Sequence, residues 1–172
     1  MKYHIHKAVV IGSGTMGAAI TAHLANAGVP VTLLDIVPKD APANDKKARD
    51  KIVREGWERC LNAKPANLMS ADLKTFVRLG NLEDDFGAVT EADWVCEAIV
   101  ENLKLKQELM ARIDEVRKPN GIVTTNTSGI PVSAIAEGRS EGFRKHFLGT
   151  HFFNPPRYLK LLELIPTADT NP

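Results

Sequence analysis

Cysteine is scarce, net charge is nearly absent and long apolar runs are missing. Cys60 and Cys96 are the only cysteines and stand in no metal-ligand spacing, which excludes a disulfide-stapled secreted scaffold and a metal finger. Lys and Arg number 22 against 21 Asp and Glu, a formal net charge of +1. So even a balance gives no field to draw in nucleic acid or a membrane surface. The longest apolar stretches fall far short of a membrane span. The opening "MKYHIHKAVVIG" lacks the apolar core of a signal peptide. A reducing cytoplasm is therefore the expected setting.

What remains is an ordinary soluble composition, 44% hydrophobic and 25% charged, over 172 residues, the length of one domain. Strand-like β-branched or apolar runs lie at residues 8–11, 31–34, 79–82, 94–98, 122–125 and 147–152. Helical patterns follow the glycine turn after the first run, with Gly28 as a stop, and recur at 103–116 and 132–136. Strands alternating with helices imply a mostly parallel α/β sheet covered on both faces, a doubly wound Rossmann-type fold. Between Asp35 and Asp93 lie 57 residues, too many for one crossover. A helical excursion is expected there, over about 43–77, with helices at 43–61 and 71–77. Its Lys46, Lys47, Arg49, Lys51, Arg54 and Arg59 face Asp45, Asp50, Glu55 and Glu58. These read either as a solvated helix face with charge pairs or as a rim for the phosphates of a large substrate.

Gly12, Gly14 and Gly17 form G-x-G-x-x-G after a strand and at the start of a helix, with Thr15 and Met16 inside the turn. Asp35 stands 18 residues after Gly17, at the end of the next strand. In that context the three glycines give a tight turn, a close backbone approach to a pyrophosphate and close helix–strand packing. Free N–H groups at the helix start favour the diphosphate. Asp35 can accept from adenosine ribose hydroxyls and would repel a 2′-phosphate, so NAD is expected over NADP. A purely structural turn, or a flavin in place of a nicotinamide, are the other readings.

A second site is expected in "GTHFFNPPRYLKLLEL", residues 149–164. If 147–152 and 159–164 pair as an antiparallel hairpin, His151 and Glu163 oppose each other about residue 157, within a proline-rich connection. Opposed residues share a face, with Cβ atoms roughly 4.5–5.5 Å apart. The carboxylate can then hold one ring N–H while the other nitrogen takes a proton from an alcohol. Asn126 and Ser128 belong to "NTSG" at a strand end, where parallel sheets place ligands; a plain turn serine is the alternative. Glu97 and Glu101 can cap the following helix. His4, His6, His23 and His146 are expected in structural or solvent roles.

The fingerprint "VVIGSGTMG", together with "EAIVENLKLKQEL", "TTNTSGIPVSAIA" and "GTHFFNPPRYLKLLEL", resembles the N-terminal NAD-binding domain of the 3-hydroxyacyl-CoA dehydrogenases of fatty-acid β-oxidation. The likeness covers almost the whole chain and is weakest over 38–92. It implies His151 as catalytic base, Glu163 as its partner and Ser128 as a hydroxyl touching substrate and nicotinamide. It also implies cofactor contacts at Glu101, Lys106, Asn154 and the backbone of Ala98 and Ile99, with 3-hydroxyacyl-CoA as substrate. The family's helical second domain, which helps form the acyl pocket and the dimer, is missing before Pro172, so this piece alone is expected to be monomeric and weakly active, and its parent a homo-oligomer. Starting at Met1, the chain is expected to have no hydratase domain before it. The stretch "AEGRSEGFRKHFLG" is longer than the family leads one to expect, which a surface loop absorbs. Two rival functions stand beside this: a β-hydroxyacid dehydrogenase of small free acids, and a non-catalytic NAD sensor.

Overall fold

The computed structural model describes residues 4–172. Residues 1–3, part of the opening stretch that lacks a signal-peptide core, lie outside the described residues. β1 (Ala8–Ile11) leads through the glycine turn into α1 (Thr15–Asn26), and β2 (Val31–Asp35) follows. The excursion holds α2 (Lys46–Arg49), α3 (Lys51–Leu61) and a 3₁₀ turn at Ala71–Phe76 before β3 (Val77–Asn81). After a second 3₁₀ turn at Phe86–Glu91 come β4 (Trp94–Glu97), α4 (Leu103–Val116) and β5 (Ile122–Thr125). The chain closes with α5 (Val132–Ile135), α6 (Glu141–Lys145), β6 (Phe147–Phe152) and β7 (Leu162–Pro166).

The seven strands lie in the order β3-β2-β1-β4-β5-β6-β7, all parallel except β7, which runs antiparallel to β6. Alternate side chains of one strand serve two cores. Ala8 and Val10 join Ile20, Leu24, Val53 and Trp57 under α1 and α3. Val9 and Ile11 join Met110, Ile113, Phe143 and Phe147 on the opposite face. This double burial is why the central strands read as unbroken apolar runs. The strand order reverses between β1 and β4, and a crevice opens beyond their carboxyl ends, where such sheets bind ligands.

The expected α/β architecture, helical excursion and antiparallel last strand are all present, and several boundaries differ. The helix expected over 43–61 begins at Lys46, where the Asp45 side chain accepts from Ala48 N–H, and breaks at Asp50. Asp50 is 2% exposed, and its side chain accepts from Lys46 Nζ and Asn81 Nδ2, both at 2.8 Å. The expected helix at 71–77 is a 3₁₀ turn, and β3 starts at Val77, earlier than the expected 79, because Val77 pairs with Val31. β4 ends at Glu97 rather than 98. The short α6 has no counterpart among the expected helices; its Ser140 cap accepts from Phe143 N–H at 3.1 Å. β7 runs over Leu162–Pro166 rather than 159–164, so residues 153–161 form a longer loop, yet the register still sets His151 opposite Glu163.

Candidate active site

The glycine turn sorts into three jobs. Gly12 has φ +103°, and a Cβ there would lie 2.4 Å from Ala98 O, so the backbones at the ends of β1 and β4 touch. Gly17 presses on the turn itself, and its Cβ would lie 1.8 Å from Gly12 O. Gly14 faces open space, with nothing within 4 Å. It caps α1 without a side-chain hydrogen bond, and no acid stands in the helix's first turn. The first N–H groups of α1 are thus left for an anion.

A cleft of about 790 Å³ opens beyond the strand ends. Of the residues expected at the site, Gly12, Gly14, Thr15, Met16, Asp35, Ala98, Ile99, Glu101, Asn126, Ser128, His151 and Asn154 line it together. Asp35 is held in place: Oδ2 accepts from Ser13 N–H and Ser13 Oγ, both at 2.6 Å, and Oδ1 accepts from Ile36 N–H at 2.7 Å. Its remaining lone pairs are available to ribose hydroxyls.

At the other end, His151 Nδ1 meets Glu163 Oε2 at 2.8 Å, and the Phe153 ring lies 4.8 Å from the imidazole centre to centre. His151 reaches the cleft while Glu163 stands behind it, outside the lining. Asn126 Oδ1 accepts from Phe152 N–H at 2.9 Å, which pins the end of β6 beside the loop after β5.

Lys106 lies deeper than Glu101 and Asn154, the side chains named with it. Its expected role is a cofactor contact, but the structure buries it below the cleft at 1% exposure, with Nζ 2.6 Å from Glu97 Oε1. Its neighbour in the cleft wall is Glu101, 3.6 Å away. Burial makes this the physical outcome, since a charge so deep needs a partner and finds Glu97. Glu101 accepts from Thr127 Oγ1 at 2.8 Å and Ser128 N–H at 2.9 Å. Burial pushes the Glu101 carboxyl up, but these hydrogen bonds and the Lys106 charge outweigh it and hold the group below its ordinary range. Glu97 is no cap of α4, whose N-terminus is capped by Asn102, accepting from Leu105 N–H at 3.1 Å.

Sequence reasoning misses Ser13, because its side-chain direction is a tertiary matter. It also misses the outer cleft wall of Ile36, Leu82, Leu105, Leu109 and Arg112. Leu105, Leu109 and Arg112 follow i, i+4, i+7 spacing on one face of α4, a signal that is legible. Arg112 donates to Leu82 O at 2.9 Å, and its guanidinium carbon lies 4.2 Å from the Phe86 ring centre. Lys46 pairs with Asp50, one of the acids the charge-pair reading names, but also with Asp85, and Arg49 pairs with Glu83 and Asp84, acids beyond the excursion that the reading does not name. His23 packs edge-on to Phe152, and burial lowers its pKa; His146 Nδ1 meets Gly142 O at 2.8 Å.

A family model described as 3-hydroxyacyl-CoA dehydrogenase, NAD binding domain, matches residues 7–172. The chain belongs to that family. It is 51% identical to a Bacillus subtilis protein named "Probable 3-hydroxyacyl-CoA dehydrogenase", over 100% of this chain and 23% of that protein. It is 36% identical to the mitochondrial hydroxyacyl-coenzyme A dehydrogenase of Rattus norvegicus, over 99% of this chain and 53% of that one. Among solved structures, 3-hydroxybutyryl-CoA dehydrogenase from Escherichia coli superposes with a TM-score of 0.73 at 31% identity, over 98% of this chain and 34% of the other. The chain thus spans about a quarter to a half of the length of these relatives. NAD is the cofactor of this NAD-binding domain, and the residues present fit it: open backbone at Gly14, an α1 start with no side-chain cap and the fixed carboxylate of Asp35.

Proposed function

We propose that this domain is the NAD-binding part of an L-3-hydroxyacyl-CoA dehydrogenase, which oxidises a 3-hydroxyacyl-CoA to the 3-ketoacyl-CoA. The observation that carries the reading is the contact between His151 Nδ1 and Glu163 Oε2, 2.8 Å, at the wall of the dinucleotide cleft. With Nδ1–H given to Glu163, Nε2 keeps its lone pair and is free to act as a general base. Nε2 takes the proton of the substrate hydroxyl, and Glu163 stabilises the imidazolium that results. Bound NAD supplies the hydride acceptor. In the reverse direction the His151 imidazolium returns the proton. Ser128, on the loop after β5 and lining the same cleft, is suited to hold the reacting oxygen. Neither rival function has a comparable observation: an oriented imidazole–carboxylate pair has no use in a sensor.

Two features support the substrate class and the further domain. Arg59 and Lys64 border a hollow of about 230 Å³ beside Gly14 and Asn154, which suits the phosphates of a coenzyme A group. Tyr158, Leu159, Leu161, Leu162, Leu164 and Ile165 are exposed around the edge strand β7. An apolar strip of that kind is what a second domain, of the extra length seen in the relatives, would cover.

The test joins this chain to the portion that the Bacillus subtilis relative carries beyond the match. The fusion should form NADH from NAD when given a 3-hydroxyacyl-CoA, and His151→Gln should lower kcat by roughly 10²–10⁴-fold, the usual worth of a general base. Undiminished turnover by the His151→Gln fusion would place the base elsewhere. No turnover by the unmutated fusion, with NADH still bound, would remove the substrate assignment.

A further inference from the structure

Residues 63–70, between α3 and the first 3₁₀ turn, belong to no helix or strand. Their backbone groups have no ladder to meet them, and side chains from distant elements do so instead. Asn26, at the end of α1, donates to Asn67 O and accepts from Met69 N–H, both at 2.8 Å. Arg157 Nη1 donates to Ala66 O at 2.7 Å and to Leu68 O at 2.8 Å. Tyr158 Oη donates to Ala66 O at 2.9 Å, and the Arg157 guanidinium carbon lies 5.1 Å from the Tyr158 ring centre.

Asn26 already ties this segment to the body of the fold. Arg157 and Tyr158 tie it to a different place, the loop that leads from His151 on β6 to Glu163 on β7. These two pieces of chain stand on either side of the hollow of about 230 Å³ beside Gly14. Arg59, Lys64 and Asn67 line it from the excursion, Asn154 and Pro155 from the loop, and no carboxylate of the described residues lines it. Arg157 and Tyr158 follow Pro155 closely on one side, and Ala66 stands between Lys64 and Asn67 on the other, so the clasp lies at the junction of the two walls. Hydrogen bonds from an ionised donor are roughly twice as strong as neutral ones, which makes the guanidinium the stronger half of the clasp.

We infer that Arg157 and Tyr158 are positioning residues which hold the two walls of this hollow at a fixed spacing and so set the affinity for the coenzyme A end of the substrate. The inference rests on the reading of the hollow as the coenzyme A site, and the experiment separates the two. Walls that are fixed before the ligand arrives cost less to order on binding. A ligand held from both sides loses contact when they drift apart. The glycine turn and Asp35 make no hydrogen bond to the clasp, so the dinucleotide should feel its loss far less.

The measurement is calorimetric titration of the 172-residue chain with coenzyme A and with pantetheine, which lacks the phosphorylated nucleotide. Saturating NADH keeps both ligands out of the cofactor cleft, and NADH affinity is measured separately by fluorescence. The unmutated chain should bind coenzyme A at least about tenfold more tightly than pantetheine. Arg157→Met should weaken coenzyme A about tenfold, and Tyr158→Phe, which keeps the charge and loses one neutral hydrogen bond, about threefold. NADH affinity should stay within about twofold in Tyr158→Phe and threefold in Arg157→Met. Should Arg157→Met fail to fold, Tyr158→Phe carries the comparison alone. Unchanged coenzyme A affinity in either folded variant, or an equal loss of NADH affinity, would overturn the inference. Failure of the unmutated chain to prefer coenzyme A over pantetheine would instead overturn the reading of the hollow.

Discussion

Alanine at Gly17 would set its Cβ 1.8 Å from Gly12 O and 2.9 Å from Gly12 C. Carbon contacts are comfortable at roughly 3.5 Å and beyond, so the turn must open by more than about 1 Å. The obstruction is backbone and cannot swing aside as a side chain would. Overpacking of this kind costs roughly 1–3 kcal/mol, and 1 kcal/mol moves Tm by roughly 2–4 °C in a chain of this size. Gly17→Ala should therefore lower Tm by roughly 2–12 °C and bind NADH poorly, because the displaced turn carries the N–H groups that meet the pyrophosphate. Alanine at Gly14 behaves differently. Nothing lies within 4 Å of its Cβ position, and its φ of −63° suits any residue. The poorer cap and the lower unfolded-state entropy oppose each other, each at about 1 kcal/mol or less, so Tm should stay within about 3 °C. The new methyl group would occupy ligand space, and NADH affinity should fall at least tenfold, about 1.4 kcal/mol. Scanning calorimetry and NADH titration on both variants separate the two roles. Unimpaired binding by Gly14→Ala would refute the close backbone approach; an unchanged Tm for Gly17→Ala would refute the packing role.

The carboxylate of Asp35 should make the chain prefer NADH over NADPH by at least about tenfold, roughly 1.4 kcal/mol, and Asp35→Ser should erode that preference in paired titrations; equal affinities in the unmutated chain would remove Asp35 from its role. Asp93 accepts from Lys118 Nζ at 2.6 Å and from the His6 and Lys7 N–H groups, and these contacts, Lys118 foremost, pull its carboxyl down to about 2. A depressed folded-state pKa contributes stability above the ordinary carboxylate range and loses it as pH falls toward 2. Asp93→Asn should thus be less stable than the unmutated chain at pH 7, with the gap in urea midpoint shrinking between pH 4 and pH 2; a constant gap would show that the shift does not act. Glu163→Gln in the active fusion should lower kcat while leaving NADH affinity within about twofold, because Glu163 touches His151 and not the cleft; a selective loss of NADH affinity would contradict that placement.

Much of this domain is written in short-range patterns. Strand 8–11, the glycine turn and the acid at 35 follow from steric rules acting over a few residues, so Gly12, Gly14, Gly17 and Asp35 are legible in the sequence alone. The His151–Glu163 pairing is legible too, because a two-residue side-chain period makes opposition a matter of counting, and it holds although the last strand starts at Leu162 rather than 159. Residues coupled through space are not legible in the same way. The buried Asp50 carboxylate, between α2 and α3, is held by Asn81, a partner far along the chain. Ser13 aims Asp35 from within a turn whose residue type allows many uses. Lys106 looks like any solvent-facing lysine of a helix, with neighbours that suit ion pairs. Only the packing of α4 over β4 turns it inward to Glu97, since burial is a property of the whole assembly and carries no mark in the local sequence. The chain's own residues thus determined the fold class, the cofactor and the His151–Glu163 contact. Tertiary structure decided which charges line the cleft and which lie beneath it, because desolvation and partner geometry exist only once distant segments meet.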